Sequence, residues 1–172
     1  MDFRFVAPDL RKLDDTSAEL IACSIWQEQR PLGGLAGLLD WRLAGKLSKL
    51  ARETFLAGAL GEILFLPGRP RLPFDKVLVM GLGPRETFGD DAFRRATLRL
   101  IETLEGLNVR RAIVELPGRG DDAVTPERAA ELVLELVARL PDCDAWVLVE
   151  PPETQKRILQ RAQDERRRSL HR

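Results

Sequence analysis

"KVLVMGLGPRE", residues 76–86, is the stretch on which the reading of this chain turns. A continuous apolar run, Val77, Leu78, Val79 and Met80, ends in Gly81-Leu82-Gly83 and Pro84. Short apolar runs bounded by turn formers are the pattern of a strand covered on both faces. Such a strand belongs to a mainly parallel sheet, and the corner after it is where α/β proteins hold phosphates. The corner fails the specific tests for that role. A dinucleotide fingerprint needs a third glycine at position 86, which is Glu86, and no Gly-Lys-Ser/Thr follows to make a Walker loop. Gly81 and Gly83 read first as a tight strand exit. As an alternative they are candidate ligand contacts, with Arg85 as a phosphate partner.

The segments around this strand repeat the same grammar. Residues 18–26, "AELIACSIW", are a second nearly continuous apolar run, and residues 3–7 alternate as a short edge strand does. Leu35, Leu38, Leu39, Leu43, Leu47 and Leu50 fall at helical spacing, with Gly45 as a break. Strands are expected at 63–66, 110–117 and 145–150. A helix opens at Gly89 with Asp90 or Asp91 as its cap and carries Phe93, Ala96, Leu100, Leu104 and Leu107 on one face. Thr125-Pro126 starts another, which should reach Leu140. The last segment should be helical, with Ile158, Leu159 and Ala162 on one face. Residues 67–74 and 117–124 read as the flexible links. The alternation of strands and helices predicts a three-layer α/β/α sandwich around a mainly parallel mixed sheet.

At 172 residues the chain fits one domain, read here as 1–152, with a basic helical tail over 153–172. Net charge is zero but unevenly spread. The tail holds seven Lys or Arg against three Asp or Glu, leaving 20 against 24 in the rest. An acidic body disfavours nucleic acid over the main domain, and Arg166, Arg167 and Arg168 are the candidate polyanion contacts if any exist. The one histidine, His171, stands two positions from the end, and Cys23 and Cys143 are the only cysteines. That scarcity argues against a His-based triad and against His/Cys metal sites, so no catalytic or metal-binding residue and no cofactor is assigned. Both cysteines sit in apolar stretches and read as inert reduced thiols. No signal peptide or apolar span is evident, which points to the cytoplasm and to no membrane partner. Trp26, Trp41 and Trp146 are each expected in the core. The pairs Asp90-Asp91 and Asp121-Asp122 are accounted for by capping and turns.

Three segments together resemble one family. "LDWRLAGKLSKL" (39–50), "GALGEILFLPGRP" (58–70) and "KVLVMGLGPRETF" (76–88) are similar, in order and spacing, to stretches of the N-terminal domain of leucyl (cytosol) aminopeptidases. The resemblance runs over roughly 17–150 and implies a macro-domain-like fold. In that family the metals and catalytic groups lie in a C-terminal domain that includes an Asn-Thr-Asp-Ala-Glu-Gly-Arg run. Here the one asparagine, Asn108, is followed by Val109-Arg110, so no active-site residue carries over. The expectation is a stand-alone, non-catalytic interaction or assembly module acting with a protein partner or as a homo-oligomer. The resemblance to macro domains makes binding of ADP-ribose or a similar nucleotide-like ligand the alternative. Nucleic-acid binding through the tail, which some aminopeptidases of the family suggest, comes last.

Overall fold

The computed structural model describes residues 4–137 and 146–170. Its sheet has six strands: β1 (Arg4–Val6), β2 (Leu20–Ile25), β3 (Ile63–Pro67), β4 (Lys76–Gly81), β5 (Ala112–Val114) and β6 (Trp146–Val149). They lie in the order β1-β6-β5-β2-β4-β3. Only β3 runs antiparallel, in register with β4 from Ile63 opposite Met80 to Pro67 opposite Lys76. The two apolar runs that started the reading, β2 and β4, are paired neighbours in the middle of the sheet. Each is sealed on both faces, which is why neither alternates.

Helices cover both faces. One layer holds α1 (Leu10–Asp14), α2 (Gly34–Arg42) and α3 (Lys46–Arg52). It closes a core of Leu13, Leu35, Leu39, Leu47, Ile21 and Val79. The other holds α4 (Asp90–Gly106) and α5 (Pro126–Val137), over Leu20, Leu78, Phe93, Leu100, Leu132 and Leu148. Helix α6 (Pro152–Leu170) packs along α5, with Ile158 and Ala162 buried and Arg157–Glu127 and Arg161–Glu131 ion pairs beside them. The expected α/β/α sandwich is therefore the fold observed.

Several local expectations need correction. Gly89, not an aspartate, caps α4; Asp90 and Asp91 occupy the first turn, where negative charge suits the helix dipole. Leu159 is 40% exposed, because it sits one residue and about 100° round from buried Ile158. Trp41 is 74% exposed, whereas Trp26 and Trp146 are buried. The intervals 67–74 and 117–124 contain core residues, Leu72 and Phe74 in the first and Arg119 and Val124 in the second. Helix α1 is too short to show a period and is fixed by Asp9, whose carboxylate accepts from the amides of Arg11 and Lys12. Gly45 does divide α2 from α3, at φ +78°. Thr125 does cap α5, accepting from Arg128 N at 3.3 Å. The end expected at Leu140, and Cys143, lie outside the described residues.

Gly81 is where strand packing and corner meet. A Cβ there would overlap the Ala59 carbonyl oxygen and come within 2.6 Å of Gly58 C. Gly81→Ala should therefore cost about 1–3 kcal/mol of unfolding free energy in urea titration, as overpacking does.

Candidate functional site at the strand ends

The carboxyl ends of β2, β4, β5 and β6 share one end of the sheet, the place where open α/β sheets form a crevice. The Gly81–Gly83 corner lies there. Its amides are already engaged by the chain itself: Gly81 N with Glu62 O, Leu82 N with Ile25 O, and Gly83 N with Gly58 O at 2.8 Å. The next amide, Arg85 N, donates to Glu28 Oε1 at 2.8 Å. A phosphate cradle needs free N–H groups, and this corner spends its own on holding three segments together. Arg85 reaches across to the loop after β5, pairing Nε with Asp121 Oδ2 at 2.6 Å. The Trp26 indole N–H donates to the same oxygen at 3.0 Å, and its ring stands edge-on to Phe88 at 4.9 Å.

Beneath this clasp lies a group that the sequence reading passed over. Glu115 extends from the end of β5 into the crevice and is 7% exposed. Its Oε1 accepts from the Ser24 amide at 3.4 Å and the Ser24 hydroxyl at 3.3 Å, and its Oε2 accepts from Leu35 N, in the first turn of α2, at 3.3 Å. Gly120 is packed against it so closely that a Cβ would lie 2.9 Å from Oε2. Burial pushes the carboxyl up to about 7, the Leu35 and Ser24 donors pull it down, and the charge of Glu150 adds to the rise. The same burial, with the charge of Glu115, holds the Cys23 thiol well above its ordinary range, consistent with an inert thiol. An acid closing the apolar "AIVELP" strand was the available signal.

The loop over the crevice is fixed from its other side. Arg119 meets Glu150 through two parallel contacts, Nε to Oε1 at 2.7 Å and Nη2 to Oε2 at 2.9 Å. Both side chains are 1% exposed. Arg119 also donates to Val124 O, and Thr154 Oγ1 donates to Glu150 Oε2 at 2.7 Å. The crevice that remains between Ser24, Gln29, Gly34, Glu115 and Asp121 measures about 30 Å³. That holds about two water molecules, against the roughly 300–1,000 Å³ of a ligand pocket.

The structure thus brings Gly81, Gly83 and Arg85 to the strand ends. Arg166, Arg167 and Arg168 lie toward the far end of α6, exposed, with Arg168 paired to Glu165 at 3.2 Å. Among the described residues no group of three His, Cys, Asp or Glu is placed to hold a metal ion. No helix among them is long and apolar enough to cross a membrane.

This architecture defines a macro-like α/β domain. A Trypanosoma brucei macrodomain in complex with ADP superposes with a TM-score of 0.69 at 16% identity, over 91% of this chain and 66% of that one. Tomato leucine aminopeptidase superposes with a TM-score of 0.61 at 16% identity, over 93% of this chain and 35% of that one. At such identities the likeness is one of fold alone. The model of the cytosol aminopeptidase family, N-terminal domain, matches residues 21–140, and the chain belongs to that family. A probable cytosol aminopeptidase of Halorhodospira halophila is 32% identical over 129 residues, 72% of this chain and 26% of its own length. The cytosol aminopeptidase of Pseudomonas aeruginosa is 32% identical over 114 residues, 64% of this chain and 22% of its own length. The chain spans about a quarter of the length of these relatives, and the family match is to their N-terminal domain.

Glu115 yields a pH prediction. Its folded value, about 7, stands above the 4.5 of an ordinary glutamate, so the native state binds the proton more tightly than the unfolded chain. The stability tied to this group is complete below about pH 4.5 and is lost as pH rises through about 7, an effect of about 3 kcal/mol. Glu115→Gln should flatten the stability curve across that window in urea titrations at stepped pH. The slope is the readout, because the new NH2 must face either the Ser24 or the Leu35 donor and lowers stability at every pH.

Proposed function

We propose that the chain is a non-catalytic interaction and assembly module of the cytoplasm. Its platform is residues 1–152, with the 153–172 helix along its side. The observation that carries this reading is the exposure of two large aromatic side chains on one layer, Trp41 at 74% and Phe55 at 69%. Trp41 lies near the end of α2, and Phe55 follows α3. Between them stand exposed Lys46, Lys49 and Arg52, with Glu53 the only acid from 41 to 55. Exposed tryptophan, phenylalanine and arginine are side chains enriched at interfaces, and the lysines around them add positive charge that suits an acidic protein partner. Lone exposed hydrophobes need no explanation, but two aromatics on a cationic strip do.

The fluorescence of the chain is built to test this. Trp26 and Trp146 are buried, so a change in polarity outside the protein reports on Trp41. Partners that co-purify with the wild type should shift its emission to the blue and should be lost from Trp41→Ala/Phe55→Ala. The variant should keep its unfolding midpoint, because both side chains lie outside the core. An unchanged partner set in the double variant counts against the reading.

Nucleotide-like ligands remain the second reading, supported by the macrodomain scaffold and by Arg85 at the crevice mouth. Gly81, Gly83 and Arg85 would line the approach. For such a ligand to enter, the Arg85–Asp121 pair must open and Glu115 must yield space. Titration with ADP-ribose should therefore give no heat with the wild type. A signal that disappears in Arg85→Ala would establish this reading instead.

A further inference from the structure

Strand β3 is one edge of the sheet, and among the described residues no strand pairs with its outer side. Glu62 O accepts from Gly81 N and Gly68 N donates to Asp75 O, so even-numbered positions bond inward to β4. Ile63 and Phe65 therefore turn their N–H and C=O groups outward, where no described residue bonds them.

Folded chains usually guard such an edge with charge, a bulge or a covering segment. This one is guarded at one end only. Ile63-Leu64-Phe65-Leu66 carries no charge. Glu62, just before it, turns its carboxylate back onto the amides of Ala57, Gly58 and Ala59. Arg69, just after it, is paired with Asp75 at 2.8 Å. Pro67 has no N–H to offer, so it stops pairing at the far end and leaves a site two outward residues long. A short extended segment fits that site; a continuous second sheet does not.

The side of the edge facing α4 sets the chemistry of that segment. Ile63 packs against the core under α4 and α5, and Phe65, two residues on, shares its face and is 40% exposed. Leu60 and Gly61, which lead into β3, form an open groove of about 340 Å³ with Arg95, Leu98, Arg99 and Glu102 of α4. Arg95, Arg99 and Glu102 are exposed and form no ion pair or side-chain hydrogen bond with a described residue. Two guanidiniums against one carboxylate leave the groove positive, beside the apolar side chains of Leu60 and Leu98. A strand laid on the edge sends alternate side chains to this side. Carboxylates there suit the forked donors of Arg95 and Arg99, and an apolar side chain between them suits Phe65 and Leu98. An antiparallel copy of this chain would instead set its own arginines on the same face of the sheet, like beside like.

We propose that the β3 edge and the α4 groove beside it form a docking site for an extended segment of another protein, one that turns carboxylates and an apolar side chain toward α4. The site is separate from the α2–α3 face and goes beyond the reading above. Backbone pairing with Ile63 and Phe65 supplies affinity, and Arg95 and Arg99 supply the selection for acidic sequence.

Amide NMR of the full chain, titrated with the peptide acetyl-Glu-Thr-Val-Thr-Glu-amide to millimolar concentration, tests this. Its residue order is the same in both directions, so strand polarity does not matter. The Ile63 and Phe65 amide signals should move downfield as they gain acceptors, while Leu64 and Leu66, already bonded to β4, change less. Replacing both Glu of the peptide by Lys should weaken binding roughly tenfold, and Arg95→Glu/Arg99→Glu should reverse that preference. Only alternate residues of an added strand bond the edge. N-methylation of Val alone or of both Thr should therefore abolish binding in one peptide and be tolerated in the other. Both arginines are exposed, and circular dichroism checks that the double variant is folded. Unmoved Ile63 and Phe65 signals overturn the proposal, as do equal affinities for the Glu and Lys peptides. Shifts at these amides that follow protein concentration without peptide would give the edge to a second copy and overturn it as well. Shifts confined to residues 41–55 would move the acidic segment to the α2–α3 face, sinking this site while leaving the assembly reading intact.

Discussion

Arg119 and Glu150 meet edge to edge with neither side chain open to solvent, and the strand-end architecture depends on that contact. A buried pair of this kind gives little net stability when compared with apolar replacements, yet losing one partner costs about 3–5 kcal/mol because the other charge stays buried. Its value is in position. Arg119 belongs to the loop after β5 and Glu150 to the end of β6, and Thr154 of α6 bonds the same carboxylate. Loop, sheet and last helix are therefore fixed to one another at a single point. With the loop held down, Gly118 and Gly120 lie against neighbours that leave no room for a side chain, and Glu115 is confined beneath them.

That confinement explains why a macro-type scaffold presents so small a crevice. The first turn of a helix and the adjoining amides are a natural seat for negative charge. In this chain the Leu35 and Ser24 amides bond the carboxylate of Glu115, an anion that the protein carries itself. Burial raises its proton affinity, so the seat is held by a group near neutrality rather than by a firmly charged one. The glycine corner after β4 follows the same logic. Its amides close the β2, β3 and β4 ends on one another, which is a packing role that tight strand exits fill throughout α/β proteins.

The fold was legible because parallel strands buried on both faces write themselves as unbroken apolar runs, as in 18–26 and 76–81. Punctuation by Gly45 and Thr125-Pro126 was equally clear, since each has a single physical use at its position. The candidate site was much less visible. Glu115 stands at the end of an apolar strand, and nothing local distinguishes it from a surface acid. Only the meeting of β2, α2 and β5 buries it, and those segments lie up to 91 positions apart in sequence. Trp41 failed in the opposite sense. Average burial favours a tryptophan inside, but α2 already fills its core side with Leu35, Ala36 and Leu39, and position 41 falls outside that stripe.

Trp41 and Phe55 belong to the layer of α1 to α3, and the sheet separates them from α4 and α5. The crevice at the strand ends is filled by groups of the chain itself, so the chemistry still turned outward on the α2–α3 side is that of these two aromatics and the cations between them. That face is one-sided in charge and would repel its own copy, so the complement it suits is an acidic surface.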